Sequence, residues 1–164
     1  METLFTPWRF DYISRHDPAA ACFFCDAARR PDDPESLVVF RDGHHLVLLN
    51  RHPYASGHLM IAPPAHLAAP AEASAAARAA FWPLVLRCQR ILELAYQPHG
   101  FNLGMNLGRQ AGAGVPGHYH FHLVPRWEGD TNFMSVLAGV RVVPEEPRAA
   151  LDRLRGLFAA EEPA

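Results

Sequence analysis

Apolar and polar residues recur along this chain with two different periods, and the places where the period changes mark out its elements. Short runs of strand character come first: Leu37–Phe40, then His45–Leu49 after Asp42-Gly43, a strong hairpin-turn signal, then His58–Ala62, stopped by Pro63-Pro64. The turn-rich stretch Asn50–Gly57 connects the second and third runs. From Ala71 to Tyr96 the period becomes helical. Phe81, Leu84, Val85, Cys88, Ile91, Leu92 and Ala95 fall at helical spacing and build one apolar face. Pro83 has no N–H, so it should start a segment or kink the helix there. Cys88, on that face, reads as a buried core thiol. Pro98-His99-Gly100 ends the helix. Phe101–Leu107 is the next predicted strand, Gly108–Gly117 a glycine-rich loop, and His118–Pro125 a further strand. A polar turn at Asp130–Phe133, a short strand at Val140–Val143 and an amphipathic helix from Pro147 complete the pattern. That last helix carries Leu151, Leu154, Leu157 and Phe158 on one side. The implied fold class is α+β: an antiparallel sheet of about five strands, with one long helix on one face and a C-terminal helix.

The strand His118-Tyr-His-Phe-His-Leu-Val124 carries the most chemistry. Strict alternation places His118, His120 and His122 on one face, about 6.6–7 Å apart, and sends Tyr119, Phe121 and Leu123 into the core. Imidazole is the side chain best suited to proton transfer, nucleophilic attack or metal binding near neutral pH. The loop directly upstream holds four glycines in ten residues, Gly108, Gly112, Gly114 and Gly117. Such a loop can turn its backbone N–H groups toward an anion without Cβ hindrance, and Arg109 is a nearby candidate charge partner.

With 164 residues and no repeat or second core, the chain reads as one domain over 1–164. It divides into an N-terminal arm (1–21) rich in aromatics such as Trp8, Phe10 and Tyr12, a core (22–134) and a C-terminal extension (135–164). The formal net charge of −2 gives no reason to expect a dedicated nucleic-acid partner or a polybasic membrane anchor. The opening residues lack a basic segment followed by an apolar run, so a cytoplasmic protein is expected. Three cysteines suit a reducing compartment and a metal or free-thiol role better than a disulfide framework.

The histidine motif, together with the upstream strand Gly57-His58-Leu-Met-Ile-Ala-Pro63, resembles the histidine triad (HIT) family of nucleotide hydrolases and transferases, over Cys22 to Phe133. The continuation Val124–Met134 and Pro7-Trp8-Arg9 are similar to the bacterial branch that includes diadenosine tetraphosphate phosphorylases. The resemblance implies a HIT-like fold and a set of roles. His120 would be the nucleophile that takes up a nucleoside monophosphate, His122 would contact the phosphate, His118 would be the first member of the cluster, and His58 would support it from the neighbouring strand. Asn50 matches a residue that binds the ribose hydroxyls, Asn106 one that lines the phosphate site, and Gly112 and Gly114 lie in the phosphate loop. Gly114 departs from the pattern, since many members carry Gln, Ser or Thr there. Phosphate positioning would then fall to backbone N–H groups.

Cys22-Phe-Phe-Cys25 is a second constellation. By itself it could be a redox pair, two core cysteines or part of a metal site, and no thioredoxin-like βαβ pattern surrounds it. The resemblance implies a structural zinc on Cys22, Cys25, His66 and His118, since two thiolates and two imidazoles close a tetrahedron. His44, His45 and His52 are rival ligands, while His16 and His99 read as surface residues. The resemblance also implies a homodimer whose half-sheets join at an exposed edge strand. The expected activity is cleavage of a phosphoanhydride of a dinucleoside polyphosphate, by phosphorolysis or hydrolysis. The alternatives are an adenosine phosphoramidate hydrolase, a nucleotide sensor without turnover, and a metal hydrolase with zinc on the histidine row.

Overall fold

The computed structural model describes residues 22–30, 33–130 and 145–161. The expected arm over 1–21, the turn beyond Asp130 and the strand at Val140–Val143 lie outside the described residues. The described elements are α1 (Phe23–Arg29), β1 (Val38–Arg41), β2 (Leu46–Leu49), β3 (Leu59–Ala62), α2 (Ala75–Tyr96), β4 (Gly100–Gly104), β5 (Phe121–Arg126) and α3 (Pro147–Ala160). The five strands form one antiparallel sheet in the order β1-β2-β3-β5-β4. The α+β reading is therefore correct.

Each element has a local cause. The β1–β2 turn is closed by the Asp42 carboxylate, whose Oδ1 accepts the N–H groups of His44 (2.6 Å) and His45 (2.7 Å). Ser74 caps α2 by accepting the Ala77 N–H at 3.1 Å. The helix ends at Gln97 in the left-handed conformation, just before Pro98. It begins at Ala75 rather than Ala71, because Pro70–Glu72 forms a separate short turn. Pro83 does not start a segment: α2 runs through it. Pro83 and Ala79, whose carbonyl loses its N–H partner there, both lie on the exposed side, where water can take that bond.

One face of the sheet carries Val39, Val47, Leu49, Leu59, Ile61, Phe121 and Leu123, which pack against Leu84, Val85, Cys88, Ile91 and Leu92 of α2 and Ala150, Leu151, Leu154 and Phe158 of α3. Arg87 locks α2 to α3: it lies over Phe40 and Phe158 and donates to the carbonyls of Phe158 and Glu161 at the end of α3. The opposite face is covered as well. Val38, Leu46, Leu48, Met60 and Ala62 pack against Phe24 and Ala27 of α1. Burial on both faces explains why β2 and β3 read as continuous apolar runs. The strand expected from His118 begins only at Phe121, since the Tyr119 N–H bonds the Leu67 carbonyl (2.7 Å) instead of a neighbouring strand. The strand expected over Phe101–Leu107 is likewise shorter, covering Gly100–Gly104.

Candidate active site

The α1-side face of the sheet turns into a cavity of about 470 Å³ beyond Met60. Cross-strand register places Met60 beside His122. His58, two residues before Met60, projects from the same face and reaches His122 diagonally, with Nε2 2.9 Å from His122 Nδ1. The Tyr54 N–H donates to His58 Nδ1 at 3.1 Å. His58 is therefore protonated on Nε2 and donates to His122 Nδ1, which directs the His122 N–H to Nε2.

His120 is held differently. Its Nδ1–H donates to the His118 carbonyl at 3.0 Å, so the unprotonated Nε2 is the atom turned away from the backbone. The ring lines the cavity with only 6% of the residue exposed. Burial lowers its pKa, outweighing the backbone hydrogen bond, which acts the other way. A buried, neutral imidazole with a free Nε2 lone pair is equipped to act as a nucleophile.

Asn50, Asn106, Gly112 and Gly114 line the same cavity. Asn50 bridges the β2–β3 connection: Oδ1 accepts the His52 N–H at 2.9 Å and its own N–H bonds the His58 carbonyl at 2.9 Å. Asn106 reaches the Gly112 carbonyl at 3.5 Å, and Gly112 adopts a left-handed conformation (φ 85°) that closes the turn after Arg109. Arg109 itself is exposed and is not among the lining residues. The sequence reading missed the other walls, namely Phe23, Phe24, Arg51, His52, Tyr54 and Val115. Only the position of Phe23 and Phe24 between two cysteines could have pointed to them.

His118 faces another way from its strand-mates. Its Nε2–H donates to the Pro63 carbonyl (2.9 Å), and Nδ1 lies 3.3 Å from Cys22 Sγ and 3.6 Å from Cys25 Sγ. Cys25 Sγ is also 3.3 Å from His66 Nδ1. One donor atom from each of these four residues lies within 4.8 Å of the others, forming a candidate metal site. A tetrahedral zinc with ordinary Zn–S and Zn–N bonds has ligand–ligand edges of about 3.4–3.8 Å, so the donor set fits. Burial and the adjoining Cys22 thiol push the Cys25 thiol up, a penalty that a dication between the sulfurs would reverse. Of the rival ligands, His52 lines the cavity, while His44 and His45 pack against each other at the β1–β2 turn.

Fold, paired histidines and cysteine cluster together define a histidine triad protein, and the comparisons agree. The HIT domain family model matches residues 32–129. The AP-4-A phosphorylase of Mycobacterium tuberculosis is 33% identical over 153 residues, covering 88% of this chain and 78% of that protein. Protein hit of Bacillus subtilis is 29% identical over 118 residues, covering 72% of this chain and 79% of that one. Among solved structures, a Zn-bound histidine triad family protein from Mycobacterium smegmatis has the same fold: TM-score 0.68, 24% identity, 85% of this chain and 94% of that one. The chain belongs to the HIT family and is an enzyme of that family. No helix among the described residues is long and apolar enough to cross a membrane.

Proposed function

We propose that this enzyme cleaves a phosphoanhydride of a dinucleoside polyphosphate, of the diadenosine tetraphosphate kind, through a covalent nucleotidyl-His120 intermediate. The observation that carries the reading is the His120 ring: buried, held by its Nδ1–H on a backbone carbonyl, and lining the cavity. The AP-4-A phosphorylase relative, similar over 88% of this chain, supports the substrate class.

In the first step the Nε2 lone pair of His120 attacks the phosphorus of the bound nucleotide. The new P–N bond forms as the P–O bond to the leaving polyphosphate breaks, and the positive charge arriving on the imidazole is shared with the Nδ1–H donated to the His118 carbonyl. His122, fixed by His58, presents Nε2–H to a phosphoryl oxygen as charge builds there. Asn50 takes the ribose hydroxyls. Asn106 and the backbone around Gly112 and Gly114 take the phosphate. In the second step inorganic phosphate or water attacks the same phosphorus and releases the histidine. The cavity holds one face of the nucleotide against His120, so catalysis rests on in-line positioning and preset donors.

Zinc is the metal we assign to Cys22, Cys25, His66 and His118. Bound there it would supply a closed structural tie between α1 and the segment leading into β5. We also propose a homodimer formed through the edge strand β4, beside which Leu103 and Leu107 are exposed.

Incubation with diadenosine tetraphosphate labelled at the α-phosphate tests the mechanism. The wild type should carry an acid-labile label on His120, while His120→Asn should bind nucleotide, take up no label and lose turnover. Products formed with and without inorganic phosphate separate phosphorolysis from hydrolysis. Turnover without a labelled protein, or a label that persists in His120→Asn, overturns the reading.

A further inference from the structure

The residue between the two cysteines and the nucleophile has a role that the family resemblance does not assign. Phe24 is 2% exposed, and its ring lies 4.8 Å from the His120 ring and 5.0 Å from the His118 ring, centroid to centroid. It therefore touches both the histidine that faces the thiols and the one that faces the cavity. Its chain neighbours fix it on both sides, since Cys22 and Cys25 hold the His118 and His66 nitrogens at 3.3 Å. Behind it, Val38, Leu46, Leu48, Met60 and Ala62 of the sheet close the packing. The His122 ring stands edge-on to His120 at 4.9 Å.

The His120 ring has two flat orientations about its Cβ–Cγ bond, and only one directs Nδ1–H at the His118 carbonyl. A single neutral hydrogen bond would favour that orientation by only about two- to tenfold, leaving about one ring in ten to one in three misdirected. A fixed ring packed on the imidazole supplies the rest by leaving no room for the swept volume of a flip.

We propose that Phe24 is a positioning residue for His120: its ring, anchored between the two cysteines, confines the imidazole to the orientation that presents Nε2 to the cavity. The cysteine cluster then acts on catalysis through Phe24 without contacting the substrate. This inference rests on the nucleophile reading given above.

The test uses the full, metal-loaded chain with ¹⁵N-labelled histidine and long-range ¹H–¹⁵N correlation. The wild type should show His120 as a single tautomer, protonated on Nδ1. In Phe24→Leu the second tautomer should appear at about 10–30%, and kcat should fall in proportion to the Nδ1-protonated fraction lost, with zinc content unchanged. Phe24→Met, close in volume but without a ring, gives the same readings and covers a Leu variant that fails to fold. An unchanged tautomer in the variants overturns the proposal, even if their rates fall, because Phe24 would then serve only the fold. Failure of the nucleophile reading shows separately, as a wild-type protein that takes up no nucleotidyl label while its His120 tautomer still responds to residue 24.

Discussion

The contact between His58 and His122 gives the sharpest quantitative expectation. His58 has no exposed surface, its Nδ1 accepts the Tyr54 N–H at 3.1 Å, and its Nε2–H donates to His122 Nδ1 at 2.9 Å. In His58→Leu the volume stays close to that of imidazole, but the Tyr54 N–H and His122 Nδ1 both lose their hydrogen bond to His58. Each such hydrogen bond is worth about 0.5–1.5 kcal/mol, so the pair is worth about 1–3 kcal/mol. Each 1.36 kcal/mol of that penalty expressed in the transition state is a factor of ten in rate, so kcat should fall by about ten- to a hundredfold. The same loss should not be counted twice. If His58 acts by fixing the tautomer of His122, a double-mutant cycle of His58→Leu with His122→Leu should show a coupling of about 1–2 kcal/mol, measured in single-turnover rates. Independent effects that add to within about 0.5 kcal/mol would refute the relay from His58 to His122.

Gly57 sits at φ +70°, and a Cβ there would lie 2.6 and 2.9 Å from two ring carbons of Tyr96 and 3.1 Å from Leu92. Tyr96 cannot easily retreat, because its hydroxyl donates to Glu145 (2.6 Å) and its carbonyl accepts the Trp127 indole N–H (3.3 Å). Gly57→Ala should therefore cost about 2–4 kcal/mol and lower Tm by about 5–15 °C, a shift that differential scanning calorimetry would read. An unchanged Tm would mean that the Tyr96 clamp yields. His45 sets a pH dependence of stability: burial holds its pKa below the ordinary 6.5, although Asp42 pulls it the other way. Its folded value is depressed, so the stability it contributes is present above 6.5 and is lost as pH falls through the folded value. Melting curves across that range should show a slope that shrinks in His45→Gln, and an equal slope in the variant would locate the titration elsewhere.

The elements of this protein are written locally. Short apolar runs became β1, β2 and β3, the period-two run became β5, the three-and-four spacing from Phe81 to Ala95 became the buried face of α2, and Asp42-Gly43 became the β1–β2 turn. Alternation also set the facing of His120 and His122, which line the cavity while Phe121 and Leu123 enter the core. The family was legible from two short patterns, Gly57–Pro63 and His118–Val124, and the cysteine spacing from a third within one segment.

What no local pattern carried is who meets whom. Periodicity reports that a face is apolar but not what will cover it, so the closure of the second face by α1 could not be read in advance. Cys22 and His118 are 96 positions apart, and only the folded chain sets them side by side. Three histidines of one alternating run look equivalent in sequence. The tertiary structure divides them by partner: the Pro63 carbonyl turns His118 toward the thiols, the His118 carbonyl turns His120 toward the cavity, and His58 fixes His122. A side chain's chemistry is given by its type, but its proton, its direction and its neighbours are set by groups that arrive from distant parts of the chain.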